Sequence, residues 1–250
     1  MAEAIAAQGA PNPDYGLDAP PIVHSMFSRG GWSFGTGLLM FLINRGEYPE
    51  PAWALFSVLG SIGLTFLAVG AFMVWSSRVA KLKLRDELID SLGLNGEEKV
   101  LDVGCGRGLL LIAAAKRLTK GKATGIDIWS DQDLSGNSAD AVKQNAKIEG
   151  VSDRVRIETG DARKLVYPAA NYDVVVSSLA IHNIPEKEER QQAIAEMWRV
   201  LKPGGKLLIF DILKTGEYAA VLRECGANHV ELSGMKFLWC IPSRVLTAKK

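Results

Sequence analysis

The chain has 250 residues, of which 48% are hydrophobic and 23% charged, and its 29 basic and 28 acidic side chains leave a formal net charge of +1. That length fits one large domain, or one ordinary domain with an appendage. A balance so near neutrality excludes a global field for polyanions, so nucleic acid is not expected as a partner.

The first segment, residues 1–29, contains Pro11, Pro13, Pro20 and Pro21 among small residues. It has no basic stretch leading into an apolar core and cleavage site, which argues against a cleaved signal peptide. It reads as a flexible tail, with a lid that orders over a site as the alternative. Residues 30–44, GGWSFGTGLLMFLIN, would make a helix of only about 22 Å and carry several glycines, so they suit a short span, a re-entrant piece or an interfacial helix. Two prolines in residues 46–52, GEYPEPA, turn the chain. Residues 53–75, WALFSVLGSIGLTFLAVGAFMVW, have no charge and would span roughly 34 Å as a helix, enough to cross a hydrocarbon core of about 30 Å. Trp53 and Trp75 would mark the two headgroup layers. A buried core helix is the alternative, but one that long normally shows a polar stripe. The expected organisation is a flexible segment over 1–29, a membrane segment over 30–80 (hairpin or single span) and one globular domain over 81–250.

In the globular part an amphipathic stretch at 85–92 precedes an apolar strand at 99–103, a glycine turn and a helical pattern through Leu118. Further strand-like runs stand at 123–128, 154–158, 172–177 and 206–211, separated by helical patterns at 137–149 and 186–200. Such alternation predicts right-handed crossovers and a mainly parallel sheet with helices on both faces. Near the end, a helix at 217–225 is followed by strands at 229–232 and 243–248, which suggests an antiparallel hairpin at a sheet edge. Cys105, Cys225 and Cys240 lack metal-ligand spacing and form no Cys-x-x-Cys unit, so reduced thiols and no metal are expected.

The turn after the first strand reads Asp102-Val-Gly104-Cys105-Gly106-Arg-Gly108. Glycines at the carboxyl end of a strand let a ligand approach the backbone, and the next helix offers free N–H groups. Asp102 suits a cationic group such as an amino-acid ammonium and suits a pyrophosphate poorly. Leu109 stands where a dinucleotide motif has its third glycine. About twenty residues on, Asp127 ends the second strand and can accept hydrogen bonds from both hydroxyls of a ribose, or else cap the next turn. Ile128 follows in the same ligand wall, and Trp129 can cover an adenine face or simply pack.

With these residues in view, 99–211 resembles the class I S-adenosylmethionine-dependent methyltransferase family, of the menaquinone-biosynthesis-like type. The resemblance rests on LDVGCGRG at 101–108, GID at 125–127, GDA at 160–162, YDVVVS at 172–177 and RVLKPGG at 199–205. Together these are specific; singly each is weak. The resemblance implies a Rossmann-like α/β fold whose seven-stranded sheet has the order 3-2-1-4-5-7-6, with S-adenosyl-L-methionine as cofactor. It further implies that Asp161 bonds the adenine amino group, Ala162 offers a backbone contact and Ser178 lies beside the methionine part.

In methyl transfer the cofactor carries the driving force, and the protein aligns the reactants and removes a proton where needed. Residues for the chemistry should follow strands four and five. His182 is the candidate proton acceptor or substrate-orienting group, with a bond to a loop carbonyl as the alternative. Asp211 can orient a cationic or hydroxyl-bearing substrate, or cap the following helix. Glu217 and Tyr218 are weaker candidates that a helix face explains.

The expected function is methyl transfer to a small, lipophilic or membrane-associated acceptor. A membrane-bound cofactor-sensing scaffold is the alternative from another class, and an NAD-dependent oxidoreductase is disfavoured by Asp102 and the glycine spacing. Arg78, Lys81, Lys83 and Arg85 follow Trp75, whereas residues 46–52 hold Glu47 and Glu50 and no base, so the globular domain is expected on the cytoplasmic side.

Overall fold

The computed structural model describes residues 12–130, 134–238 and 241–250. Cys240 and the first eleven residues of the expected tail lie outside the described residues; Cys105 and Cys225 are free thiols.

Two long helices open the described chain, α1 (Pro20–Asn44) and α2 (Pro49–Trp75). Each has proline in its first turn, where a missing N–H costs nothing and the fixed φ suits the helix. This corrects two expectations. The first helix begins at Pro20 and takes ten residues from the expected tail, and the connection is confined to residues 45–48, because Pro49 and Pro51 sit inside α2.

The helices pack antiparallel. A Cβ on Gly30 would stand 2.7 Å from Leu67 Cγ, and one on Gly63 would stand 2.7 Å from Phe34 N. The Ser33 hydroxyl donates to the Leu59 carbonyl at 2.9 Å, and the Phe41 and Trp53 rings lie 4.4 Å apart. Of the glycines that made residues 30–44 an ambiguous helix, Gly30 and Gly37 are therefore contact positions, small enough for two backbones to approach, while Gly31 and Gly35 face open space. On α2 the buried residues are Ala52, Gly60, Gly63, Gly70 and Met73, while Trp53, Leu55, Val58, Ile62, Leu64, Phe72 and Trp75 are exposed. Among the described residues, only the helical run Pro49–Ser91 contains a stretch long and apolar enough to cross a membrane.

No break separates that stretch from the next helix. A single π turn, Ser76–Ala80, joins α2 to α3 (Lys81–Ser91), so the expected domain boundary at Lys81 falls inside continuous helix.

The remainder alternates β1 (Lys99–Val103), α4 (Leu109–Arg117), β2 (Lys122–Asp127), α5 (Ala139–Ile148), β3 (Val155–Thr159), β4 (Tyr172–Ser178), α6 (Lys187–Val200), β5 (Leu201–Ile212) and α7 (Thr215–Glu224). It closes with β6 (His229–Leu232), β7 (Lys236–Leu238) and β8 (Ile241–Lys249). Among the described residues the sheet has eight strands, not the expected seven, in the order β3-β2-β1-β4-β5-β8-β6, with β7 paired to β8. The extra strand is a short piece within the closing connection. The last strand is not at the edge: β8 lies between β5 and β6, antiparallel to both.

Buried apolar residues such as Val100, Val103, Val174, Val175, Leu207 and Leu208 fill β1, β4 and β5 on both faces, as a sheet covered by helices on two sides requires. The carboxyl ends of β1, β2, β4 and β5 consequently face one edge of the sheet, where the Gly104, Trp129, Leu179 and Leu213 turns lie.

Candidate active site

At that edge a cavity of about 620 Å³ opens, within the range usual for small-molecule sites. Asp102, the fourth residue of β1, is 1% exposed; its Oδ2 accepts a 2.8 Å hydrogen bond from the Leu111 N–H, while its Oδ1 is buried without a partner. Burial, opposed by the Leu111 N–H and aided by the nearby Asp127 charge, pushes this carboxyl up to about 7. A buried acceptor with an open valence in a cavity wall is what a cationic group would satisfy.

The glycine turn brings backbone to the same place. Gly104 has φ +70 and passes so near the segment after β4 that a Cβ would stand 2.2 Å from Ala180 Cβ. Gly106 donates its N–H to Asp127 Oδ2 at 2.8 Å, coupling the turn to the end of β2. Asp127 Oδ1 accepts from the Trp129 N–H at 2.7 Å and from Asn137 Nδ2 at 3.2 Å.

Of the residues expected to hold the cofactor, Asp102, Gly104, Cys105, Gly106, Asp127, Ile128, Asp161, Ala162 and Ser178 line the cavity. Gly108 and Trp129 do not. Gly108 caps α4 with φ 87 and faces Val142 and Ile112, and the Trp129 indole turns to Thr159, donating Nε1–H to Oγ1 at 2.8 Å. The reason is local: Trp129 is held at φ 63 by its bond to Asp127, which sends the indole behind the wall and leaves Ile128, 66% exposed, at the cavity. Cys105 contributes backbone only, since its thiol belongs to the core beneath the turn and burial pushes its pKa well up. Asp161 is in place but engaged: Arg163 binds it through Nε and Nη2, and the Arg163 hydrogen bonds hold its carboxyl below the usual range.

His182 and Asp211 come together, although 29 residues separate them. His182 lines the cavity and its Nδ1 lies 2.5 Å from Asp211 Oδ1. Asp211 is wholly buried and also accepts from the His182 N–H at 3.1 Å, the Ile212 N–H at 2.8 Å and the Tyr218 hydroxyl at 3.2 Å. This corrects both sequence readings of Asp211. It neither faces a substrate nor caps α7, whose N-cap is Lys214. Two backbone N–H groups and the Tyr218 hydroxyl donate to Asp211, which leaves it placed to accept an imidazole proton at Nδ1; in that tautomer Nε2 is the acceptor that faces away from the carboxyl group. Tyr218, which a helix face seemed to explain, is the residue that fixes the carboxylate from behind.

Two further parts complete the site: the lid that the sequence offered as the alternative to a tail, and a residue that sequence reasoning missed. Residues 12–19 lie across the cavity as a strap. Arg107, inside the glycine motif, ties the strap down by donating Nε–H to the Asp14 carbonyl at 2.8 Å and Nη2–H to Asp14 Oδ2 at 2.8 Å, while its Nη1–H reaches the Ser135 carbonyl at 3.0 Å. Lys81, 4% exposed, donates to the carbonyls of Tyr15 and Gly16 and to Asp18 Oδ2 at 2.8–3.0 Å; burial lowers its pKa and the Asp18 charge opposes that. The second part is Asn137, whose amide joins Asp127 to the Ser130 carbonyl. A glycine-turn arginine gives no signal of its partner in sequence, and the strap's composition is that of a tail.

Known proteins agree with this geometry. Residues 100–205 match the family model described as a methyltransferase domain. The chain is 35% identical over 136 residues to the 27-O-demethylrifamycin SV methyltransferase of Amycolatopsis mediterranei, covering 54% of this chain and 46% of that protein. It is 33% identical over 127 residues to the demethylmenaquinone methyltransferase of Deinococcus radiodurans, covering 50% and 48%. The chain thus spans about half the length of these relatives. A crystal structure of a SAM-dependent methyltransferase from Aquifex aeolicus shares the fold, with a TM-score of 0.53, 20% identity and coverage of 68% and 93%. Residues 100–205 accordingly resemble methyltransferase domains and share the fold of the Aquifex aeolicus enzyme.

Proposed function

We propose that this protein methylates a small lipophilic acceptor at a membrane, using S-adenosylmethionine, and that His182 takes the proton the acceptor loses. The carrying observation is the placement of the His182–Asp211 pair in the wall of the same cavity as Asp102, Asp127 and the glycine turn. The bound cofactor supplies an electrophilic methyl group on a sulfonium. Asp102 Oδ1 would take its ammonium, Asp127 its ribose hydroxyls and Asp161, sharing with Arg163, its adenine amino group. Asp211 holds the imidazole so that Nε2 can accept a proton from a hydroxyl or an acidic carbon.

The relatives support a small-molecule acceptor: one is named for a demethylmenaquinone and another for a demethylrifamycin. The membrane part of the proposal rests on the exposed apolar surface of α2 and the tight glycine packing of α1 against it. In this reading α2 crosses the bilayer, with α1 packed along it as the other arm of a hairpin. The globular part stands on the cytoplasmic side, beside Arg78 and Lys83, where short basic flanks are retained.

Transfer of label from methyl-labelled cofactor into a membrane extract tests the activity in the full chain. Label should enter a lipid-soluble product with the native protein and fall at least about a hundredfold in rate with His182→Ala, the usual lower bound for a lost general base. Cofactor affinity should change little. Equal turnover in the mutant would remove His182 from the chemistry, and no transfer with bound cofactor would favour the sensing scaffold.

A further inference from the structure

The cavity does not end at the methyltransferase domain. Its far wall is built by the two long helices and their continuation: Pro21 and Ile22 from α1, Met73 from α2, and Leu84 and Leu88 from α3. The polar groups on this side are Lys81, Asp18 and Arg85. Lys81 and Asp18 pair at 3.0 Å, with Lys81 also donating to the strap carbonyls. The Arg85 guanidinium is paired with Asp86 and Glu149 at 3.3 and 3.7 Å and covered by the Tyr15 ring, with its buried Nη1 lacking a hydrogen bond. The nucleotide-type groups, Asp102, Asp127 and Asp161, stand at the ends of β1, β2 and β3. The cavity therefore has a polar end for the methyl donor and an apolar end made by the hairpin.

The position of the apolar end matters. Gly30 lies against Leu67 and Phe27 against Gly70, and this antiparallel register sets Ile22 level with Trp75. Trp75 is 52% exposed and ends the apolar stretch of α2; Ile22 is 45% exposed while still lining the cavity. An indole at the end of an apolar helix marks the boundary between headgroups and acyl chains. The apolar end thus opens at the depth where an amphiphile keeps its polar head.

We infer that the base of the hairpin is half of the acceptor site: it holds the apolar chain of an amphiphilic acceptor whose hydroxyl-bearing head reaches His182, and admits that acceptor from the bilayer through the gap beside Ile22. The inference rests on the methyl-transfer reading for the identity of the ligand as acceptor. The hairpin then does more than localise the enzyme. It selects acceptors with a chain long enough to stay in contact with Met73, Leu84 and Leu88 while the head is at the imidazole.

The test uses the full chain in phosphatidylcholine nanodiscs, saturated with S-adenosylhomocysteine, and a 4-alkylphenol bearing a diazirine at the end of its chain. After illumination, peptides containing Ile22, Met73, Leu84 and Leu88 should carry the adduct, and excess 4-octylphenol should reduce it about tenfold, as saturable binding requires. Ile22→Arg, at an exposed position, should lower the adduct on Leu84 and Leu88 to a similar degree with S-adenosylhomocysteine affinity kept; Met73→Trp, which fills the passage, should do the same. Adducts that are not competed, that spread equally to Leu55 and Leu64 on the outer face of α2, or that persist in Ile22→Arg would show simple partitioning and overturn the site. Competed labelling without methyl transfer to any alkylphenol would support the site and count against the activity alone.

Discussion

Asp102 shows how much one residue costs and what it gives. Its carboxyl is buried with one oxygen unpartnered and a pKa near 7. A folded-state pKa raised above the unfolded value contributes stability that is present below about pH 4 and lost as pH rises through 7, here on the order of 4 kcal/mol at most. A cationic ligand reverses the preference by favouring the ionised form. We therefore expect S-adenosylhomocysteine binding to release a proton near pH 7 and none well above it, measurable by calorimetry in buffers of different ionisation enthalpy. Asp102→Asn should abolish that release, weaken binding, and leave the ligand-free protein more stable than the native one at pH 8. A pH-independent proton balance would mean that Asp102 does not meet the ammonium. Asp211 is the opposite case, because its four donors leave nothing for a ligand to satisfy, and its effect on chemistry passes through His182.

Among the elements, the hairpin and the strap are held by different forces. A Cβ added to Gly63 would meet backbone, Phe34 N and Gly30 O, within 2.9 Å, so a side chain there must separate the helices. Gly63→Val should lower stability in detergent by about 1–3 kcal/mol, the usual cost of overpacking, read by denaturant titration. Gly31→Val, where a Cβ meets nothing, should be nearly silent; equal effects would refute the packing account. The strap buries Tyr15 in the core and is otherwise tied by single side chains, among them Arg107, Lys81, Asn145 and Ser135. Arg107→Ala removes its bonds to Asp14 and to the Ser135 carbonyl, so residues 12–19 should become sensitive to protease and the cofactor should dissociate faster. Unchanged protease resistance would show that Lys81, Asn145 and the buried Tyr15 hold the strap without Arg107.

For the whole molecule, continuity is the main feature: α2 runs through one π turn into α3, and α3 packs on α4, whose N-terminal turn is the glycine motif. Tilting the hairpin must therefore move Lys81, the strap and the cavity wall together. The topology proposed above has a direct check. Protease added outside intact cells should leave the methyltransferase domain whole, while the same treatment of inverted vesicles should degrade it. The reverse pattern would overturn the orientation, and extraction without detergent would overturn the anchor.

Local sequence determined what depends on local physics. The strand, turn and helix at 99–117 follow from an apolar run, glycines able to adopt positive φ, and a helix-forming segment after them; Asp102 and Asp127 are legible because they end strands at the sheet edge where ligands bind. The apolar stretch at 53–75 is legible for the same reason, since a helix long and apolar enough to cross a membrane is recognised by length and charge alone. Contacts between distant segments decided the rest. Asp211 reads as a ligand group until the fold puts His182 and Tyr218 on it, Trp129 until a bond to Asp127 turns its ring away, and residues 12–19 as a tail until Arg107 and Lys81 supply the donors its backbone lacks. A short polar segment has no hydrophobic periodicity to announce its place, because its order comes from hydrogen-bond partners that lie between about sixty and 130 residues away in the chain and become neighbours only when the sheet and the hairpin have formed.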